Sequence, residues 1–234
     1  MFTLFMGLLV ATSYIAFATR KVDDGSGKIT TKTRALSGYD KIDVEGSFDV
    51  TLIPGSTESV VIETDDNLQK NVLTTVKGRK LVLELSGNWN KYTKLKAIIT
   101  YKSLKSLESG GSCKILQTAK SKHTDFSLDV SGSGTVNLNL EATNFKIDGS
   151  GSADVILSGF VNNLDVDLSG SMTMDAFKLS TNKCRVEISG SGDAKVNVAN
   201  ELDAEISGSG EIKYKGNPSK VKKEISGSGS VSKI

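Results

Sequence analysis

Apolar and polar residues alternate with a period of two along most of the chain. Phe126, Leu128 and Val130 are separated by polar neighbours, as are Val136, Leu138 and Leu140. The same register returns at Phe145 and Ile147, at Leu164, Val166 and Leu168, and at Leu202, Ala204 and Ile206. Successive side chains of a strand point to opposite faces, so this pattern predicts half-buried strands. Nearer the N-terminus Ile42, Val44 and Gly46, then Phe48, Val50 and Leu52, alternate likewise. Leu73 to Val76 and Leu81 to Leu85 predict a hairpin turning at Lys77-Gly78, and Asp65-Asp66 suits the cap of a turn or short helix.

A second pattern is laid over the first. Ser131-Gly132-Ser133-Gly134 recurs as Gly149-Ser150-Gly151, Ser169-Gly170-Ser171, Ser189-Gly190-Ser191-Gly192, Ser207-Gly208-Ser209-Gly210 and Ser226-Gly227-Ser228-Gly229, with a looser copy at Ser109-Gly110-Gly111-Ser112. The first glycines of the copies, 110, 132, 149, 170, 190, 208 and 227, are spaced by 22, 17, 21, 20, 18 and 19 residues. A period near twenty marks a stacked repeat, whose units bury their apolar faces only against one another. Two residues before the first glycine stand Val130, Ile147, Leu168, Ile188, Ile206 and Ile225, all aliphatic. Stacked at the strand spacing of about 4.8 Å, they form one inward ladder. Alternation then puts the glycines inward with that ladder and the serines outward as a solvated hydroxyl column.

The fold class expected is all-β: a right-handed parallel β-helix-like solenoid with Gly-Ser-Gly-marked coils of about twenty residues, handed so because parallel crossovers nearly always are. The N-terminal β-rich portion either begins the stack or caps it.

Composition agrees with this. Gly is 23 of 234 residues but Pro only 2, and 38% of the chain is hydrophobic, enough for a core rich in the branched residues that suit strands. With 29 basic and 27 acidic residues the charge is too balanced for a dedicated nucleic-acid binder, so no nucleic-acid partner is expected. Its distribution is uneven. Residues 43–66 hold seven acids and no Lys or Arg, whereas residues 91–124 hold eight Lys against Glu108. Lys94, Lys96 and Lys105 are therefore candidate contacts for an anionic partner, such as acidic envelope polysaccharide or lipid head groups; the competing reading is internal pairing with the acidic stretch.

No catalytic, cofactor or metal site is expected. His123 is the single histidine, near Ser121 and Ser127, and is expected at the surface. Asp148, Asp165, Asp167, Glu187 and Glu205 alternate with the apolar ladder and are expected to be solvated outward charges. Cys113 and Cys184 lack CxxC spacing and, about four coils apart, are expected to stay unpaired. Leu4 to Ala16 is an apolar run ending at Ala16-Phe17-Ala18, a small-x-small cleavage pattern. The expected organisation is a signal peptide over 1–18, a linker over 19–36 and one body over 37–234. Export to the periplasm, outer envelope or cell surface is expected. Residues 1–10 hold no Lys or Arg, so the competing reading is an uncleaved segment whose following Arg20 and Lys21 keep the chain on the cytoplasmic side.

The order Ile42-x-Val44-x-Gly46-x-Phe48-x-Val50-x-Leu52-x-x-Gly55, then Val60-x-Ile62-x-x-Asp65-x-Asn67-Leu68, then Thr74-x-Val76 and Leu81-x-Leu83, precedes the glycine-serine strands. From about Tyr39 to the C-terminus this resembles the putative auto-transporter adhesin head GIN domain family of bacterial envelope proteins. The resemblance implies a β-helix-like fold, export and an adhesin-like role, and it carries over no catalytic residue. The function expected is an exported, non-enzymatic structural or binding module of the envelope. Two alternatives stay open: a polysaccharide-active β-helix enzyme, whose carboxylates or basic residues would converge in a groove, and a periplasmic domain that binds another envelope protein through an open solenoid edge or the basic stretch.

Overall fold

The computed structural model describes residues 22–234, so the expected signal peptide lies outside the described residues. Every helix or strand among the described residues is a strand. The N-terminal part comprises β1 (Val22–Asp23), β2 (Ile29–Arg34), β3 (Lys41–Gly46), β4 (Asp49–Pro54), β5 (Ser59–Asp65), β6 (Val72–Lys77), β7 (Lys80–Leu85), β8 (Asn88–Trp89), β9 (Leu95–Tyr101) and β10 (Ser106–Gly111). Five long strands follow: β11 (Lys114–Gly132), β12 (Thr135–Gly151), β13 (Asp154–Gly170), β14 (Thr173–Gly190) and β15 (Asp193–Gly208). The chain ends in β16 (Glu211–Lys215), β17 (Lys220–Gly227) and β18 (Ser230–Lys233).

Each long strand is nearly a whole coil and pairs in parallel with the next, giving a β-solenoid. A coil has two walls. In β11, residues 114–116 pair with β4 on one wall and residues 106–111 of β10 pair with its C-terminal end on the other. The glycine-serine motif makes one corner between the walls, and the stretch near residues 123–126 makes the far corner. Alternation fills the space between the walls with Ile115, Val136, Val155 and Met174 from one side and Leu128, Ile147, Val166 and Val186 from the other, all buried.

Coil registry departs from the sequence-based reading in two ways. The residue that aligns with Gly132 and Gly170 is Gly151, not Gly149, and the looser copy aligns through Gly111, not Gly110. Ile147 therefore belongs to the column Leu128, Ile147, Val166, Val186 and Ala204, while Gly149 interrupts the column Val130, Leu168, Ile188, Ile206 and Ile225. Buried Met172 fills the gap, since a Cβ on Gly149 would fall on its Sδ. Measured from aligned glycines 111, 132, 151, 170, 190, 208 and 227, the coils are 21, 19, 19, 20, 18 and 19 residues long. Bulges absorb the differences, as between Gln117 and Ser121.

The second departure concerns the glycines themselves. The aligned glycine of each motif does not face the core. Gly132, Gly151, Gly190 and Gly208 have positive φ, and a Cβ there would point along the stack into the carbonyl oxygen of the glycine one coil before. Turning the corner takes these residues out of strand alternation, so glycine is demanded by backbone sterics and close approach, not by a thin core. The second glycines, Gly192 and Gly210, are buried as expected, and Ser131, Ser150 and Ser169 are exposed.

The N-terminal portion both begins and caps the stack. β3 and β4 form a first coil, with Gly46 at its corner, directly against the coil of β10 and β11: Ser112 N–H donates to Gly46 O at 2.7 Å. The intervening chain covers the outer side of that first coil, β7 on β3 and β9 on β4 in parallel, then β6, β5 and β2 in antiparallel pairing. The hairpin predicted at Lys77-Gly78 is β6–β7, whose two-residue turn Gly78-Arg79 has positive φ at both positions, the geometry matching strand twist. Residues 29–34, inside the stretch assigned to a linker, are strand β2, because alternating Thr and Lys side chains let it lie against β5 as a polar outer edge. Asp65-Asp66 opens a turn, with Leu68 N–H donating to Asp65 O at 3.0 Å.

Ile206→Ala removes a buried ladder side chain and is expected to cost about 2–5 kcal/mol, whereas Ser207→Ala, at an exposed position, should stay within about 0.5 kcal/mol. Gly208→Ala, with φ of 142°, should cost at least about 2 kcal/mol despite deleting nothing. Denaturant melts of the three variants check this. Equal losses at positions 206 and 207 would contradict the assigned faces.

Candidate functional site

At the far corner alternation lapses for one step. Inward His123 is followed by two outward residues, Thr124-Asp125, before Phe126 turns inward again, and Thr143-Asn144 and Asn162-Asn163 repeat this in the next coils. The double outward step lets an extended chain turn without burying a polar side chain. Asparagines stack there. Asn144 Nδ2 donates to Asp125 Oδ1 at 2.7 Å, Asn163 Nδ2 to Asn144 Oδ1 at 2.8 Å, and Asn182 Nδ2 to Asn162 Oδ1 at 2.7 Å. These residues were not singled out from the sequence. Their signal was the recurrence of asparagine one coil apart, Asn144 to Asn163 at 19 residues and Asn162 to Asn182 at 20.

Beside this corner a groove runs along the stack. One part, about 850 Å³, is lined by Lys105, Lys122, Asp125, Asn144, Lys146 and Asp165, over Phe126 and Phe145. A second part, about 320 Å³, shares Asn163 and Asp165 and continues past Lys183, Arg185, Glu201 and Asp203. Charge alternates along it, with Arg185 Nη1 3.7 Å from Asp165 and Lys183 Nζ 3.7 Å from Glu201.

His123 is half-buried at the edge of the groove, not the freely exposed residue expected. Its ring stacks on Phe126, 4.6 Å between centroids, and Phe126 on Phe145 at 5.2 Å. Nδ1 lies 2.8 Å from Leu104 O and Nε2 2.7 Å from Ser121 Oγ, an arrangement satisfied when Nδ1–H donates to the carbonyl and the serine hydroxyl donates to Nε2. Gln117 Nε2 donates to Ser121 Oγ at 2.9 Å, and the Tyr101 hydroxyl donates to Gln117 Oε1. This buried chain occupies the bulge of β11, where extra residues bring polar side chains inside. Burial pushes the His123 pKa down and the Tyr101 hydroxyl up to about 12, so both are held neutral. Ser121 is buried, and its hydroxyl is committed inside the network. Ser127 instead bonds Lys105 O at 3.4 Å.

The lysine-rich stretch is spread over both walls. Lys94, just before β9, pairs with Glu63 at 2.6 Å and holds that carboxylate below its usual range. Lys96 stands on β9 beside Asp49 and Glu63 in register. Lys105, before β10 on the other wall, is 3.2 Å from Asp40, whose side chain is 3% exposed and also 3.1 Å from Arg79. Burial alone would raise the Asp40 pKa, but hydrogen bonds from Arg79 and Lys105 outweigh it and hold the carboxyl low. Lys120 and Lys122 share Glu141, at 2.9 and 3.4 Å. Among the three candidate contacts, Lys105 alone reaches the groove.

The sequence profile described as "Putative auto-transporter adhesin, head GIN domain" matches residues 38–218. The chain belongs to this family. No curated protein matches it. Among solved structures, a putative adhesin from Bacteroides fragilis is similar with 23% identity and a TM-score of 0.84, covering 91% of this chain and 100% of that one. A putative lipid binding protein from Parabacteroides distasonis is similar with 27% identity and a TM-score of 0.74, covering 92% and 100%. A putative adhesin from Parabacteroides merdae, at 20% identity and a TM-score of 0.67, covers 91% and 98%.

In this head GIN domain one outward column is acidic without a break. Parallel registry places Asp43, Glu108, Asp129, Asp148, Asp167, Glu187, Glu205 and Glu224 one above another. The column was legible as an acid three residues before each aligned glycine. Counter-charges sit beside it: Lys80 reaches Asp43 and Glu108, Lys146 reaches Asp148 at 2.7 Å, and Arg185 reaches Glu187 at 2.9 Å. Asp129 has no such partner among the described residues. Its pKa is raised by desolvation, then by Asp148 and Glu108, with Lys146 opposing.

A carboxyl whose folded pKa is raised opposes folding above that pKa, and the penalty vanishes below the unfolded value, where both states are protonated. Asp129→Asn is therefore expected to stabilise the head GIN domain at neutral pH. The gain should shrink as pH falls toward the reference value of 3.8. Thermal melts across pH check it; a constant difference would contradict the repulsion. Cys113 and Cys184 are both free, buried and raised in pKa chiefly by desolvation. Two thiols should titrate in the unfolded, unreduced domain and none in the native one; a disulfide-linked peptide in a non-reducing digest would contradict the coil placement.

Proposed function

We propose that this head GIN domain is an exported, non-enzymatic binding module of the bacterial cell envelope, adhesin-like in role, and that the far-corner groove is its binding face. The observation that carries the reading is a long, rigid groove lined by exposed polar side chains, in a family whose solved relatives are described as adhesins or as lipid binding. Coil stacking fixes the spacing of those side chains, which favours binding by lowering the cost of ordering them. The groove's acidic groups Asp125, Asp165, Glu201 and Asp203 are engaged by Asn144, Arg185, Lys183 and Lys222, and Ser121 and His123 are locked in an internal network. That disposition supports recognition over hydrolysis.

A weaker electrostatic contact at Lys94, Lys96 and Lys105, toward acidic polysaccharide or anionic lipid head groups, belongs to the same proposal and is supported by the relative described as lipid binding. Cell fractionation with N-terminal sequencing tests export: the expected result is a mature chain beginning after Ala18 in an envelope fraction, and a cytoplasmic full-length chain would overturn it. Binding to vesicles containing anionic lipid should be weak and should fade as salt rises from about 50 to 300 mM. Lys94→Gln, Lys96→Gln and Lys105→Gln together should abolish it. Because Lys105 also compensates Asp40, the Lys94→Gln, Lys96→Gln double variant is the control for folding, and it should weaken binding with an unchanged melt. Wild-type binding by the triple variant would remove the lysines from the proposal.

A further inference from the structure

We infer that the far-corner groove takes a neutral, linear glycan lying parallel to the solenoid axis, a ligand class that deepens the binding-module reading and rests on it. The two parts of the groove meet at Asn163 and Asp165, and together they follow the stack. The groove passes six successive coils, from Lys105 to Asp203, a run of about 24 Å at the strand spacing. A groove that long and open at its sides fits a polymer, and its direction requires the polymer to cross the strands.

The chemistry of the walls narrows the class. The lining holds five basic side chains, at 105, 122, 146, 183 and 185, and four acidic ones, at 125, 165, 201 and 203. The signs alternate from coil to coil in the column Lys146, Asp165, Arg185, Asp203. A polyanion would meet a carboxylate at every second coil and a polycation a lysine or arginine, so neither gains along the whole length. A lipid tail would need a deep apolar cavity to bury it, whereas here the floor residues Phe126, Phe145, Leu164 and Cys184 are sealed to within 5% exposure and charged side chains stand along the whole length of the groove. An extended peptide would need free backbone N–H and C=O groups to add as a strand, and at this corner both edges of each middle coil are already paired with its neighbours. A chain of hydroxyl groups is suited to what remains: amides, carboxylates and ammonium groups that donate and accept without net charge.

The asparagine stack supplies the polar reading head. Because Asn163 Nδ2 donates to Asn144 Oδ1 and Asn144 Nδ2 to Asp125 Oδ1, the amides are held in one orientation. Each Nδ2 keeps a second N–H, and Asn163 Oδ1 accepts no hydrogen bond from the described residues. Donor and acceptor positions thus stand one coil apart at Asp125, Asn144 and Asn163, already ordered before a ligand arrives, and Lys183 takes that place in the next coil.

The test uses the mature protein on an array of neutral and acidic glycans, followed by calorimetry with neutral oligosaccharides of increasing length from whichever neutral series binds. Affinity should rise with length until the groove is filled and then level off, and should be unchanged between about 50 and 300 mM salt, which separates a neutral ligand from the salt-sensitive lysine contact. The oligosaccharide should be recovered uncleaved. Asn144→Ala with Asn163→Ala should weaken binding about tenfold or more, the loss expected from deleting ordered hydrogen-bonding groups, with an unchanged melt. Should that pair also lower the melt, Asn163→Asp, which keeps the shape and reverses the donor, serves as the second variant and should weaken binding equally. Binding to no neutral glycan, full affinity in both variants, collapse of binding with salt, or cleavage of the sugar would each overturn the inference. Fractionation reads export separately, so a cytoplasmic location with glycan binding intact would sink the envelope reading alone.

Discussion

Everything in this molecule hangs on parallel coil-to-coil registry, and registry is held at the glycine corner. In coil after coil the serine following the aligned glycine donates its N–H to the glycine carbonyl one coil before, as Ser133 to Gly111, Ser152 to Gly132 and Ser171 to Gly151, at 2.8 to 2.9 Å. The glycine that precedes each donor serine cannot carry a Cβ without striking that same carbonyl. Corner and ladder are one constraint: the backbone must come close enough to bond, and only glycine lets it at positive φ. Once the corner is fixed, coil length can vary by a residue or two and be absorbed in bulges on the walls or at the far corner.

Registry turns a one-dimensional pattern into columns with physical consequences. Aliphatic columns fill the space between the walls, where losing one member leaves a cavity. An acidic column runs along one face and depends on lysines and an arginine from the neighbouring column. At the far corner asparagines bond head to tail up the stack, and polar columns on either side of the bend become the walls of a groove. None of these features belongs to a single coil. Each is a sum over neighbours, as in other repeat architectures.

The ends differ from the middle. At the N-terminal side β7 and β9 lie on the first coil, and antiparallel β6, β5 and β2 cover what remains. At the other side Lys223 occupies an inward position in the last described coil, in line with Ala204, and its ammonium turns to Val231 O at 2.9 Å and over the Tyr214 ring. An inward lysine on an edge strand opposes pairing with another strand. The polar network of Tyr101, Gln117, Ser121 and His123 sits near the start of the long coils, where the bulge of β11 breaks the aliphatic pattern and hydrogen bonding replaces it.

The strands, the repeat, the solenoid class, the solvated serine column and the β6–β7 hairpin were legible in the sequence, because each depends on residues close in the chain and on a period that sterics impose. The sequence also carried the family resemblance through the string from Ile42 to Leu83. Which glycine of each motif sets the register was left to the tertiary structure, since Gly149 and Gly151 are indistinguishable until a neighbouring coil is laid beside them. The tertiary structure alone placed Gly46 beneath Gly111, 65 residues away, because the cap formed by the intervening chain folds onto the opposite side of the first coil. His123 read as a surface residue for the same reason: its partner Leu104 O lies 19 residues back, and its ring is covered by packing around a bulge that no local pattern announces. The groove, too, is a property of stacking. Asn144 and Asn163 are ordinary polar residues in the chain, and they face a common channel only when registry sets one above the other.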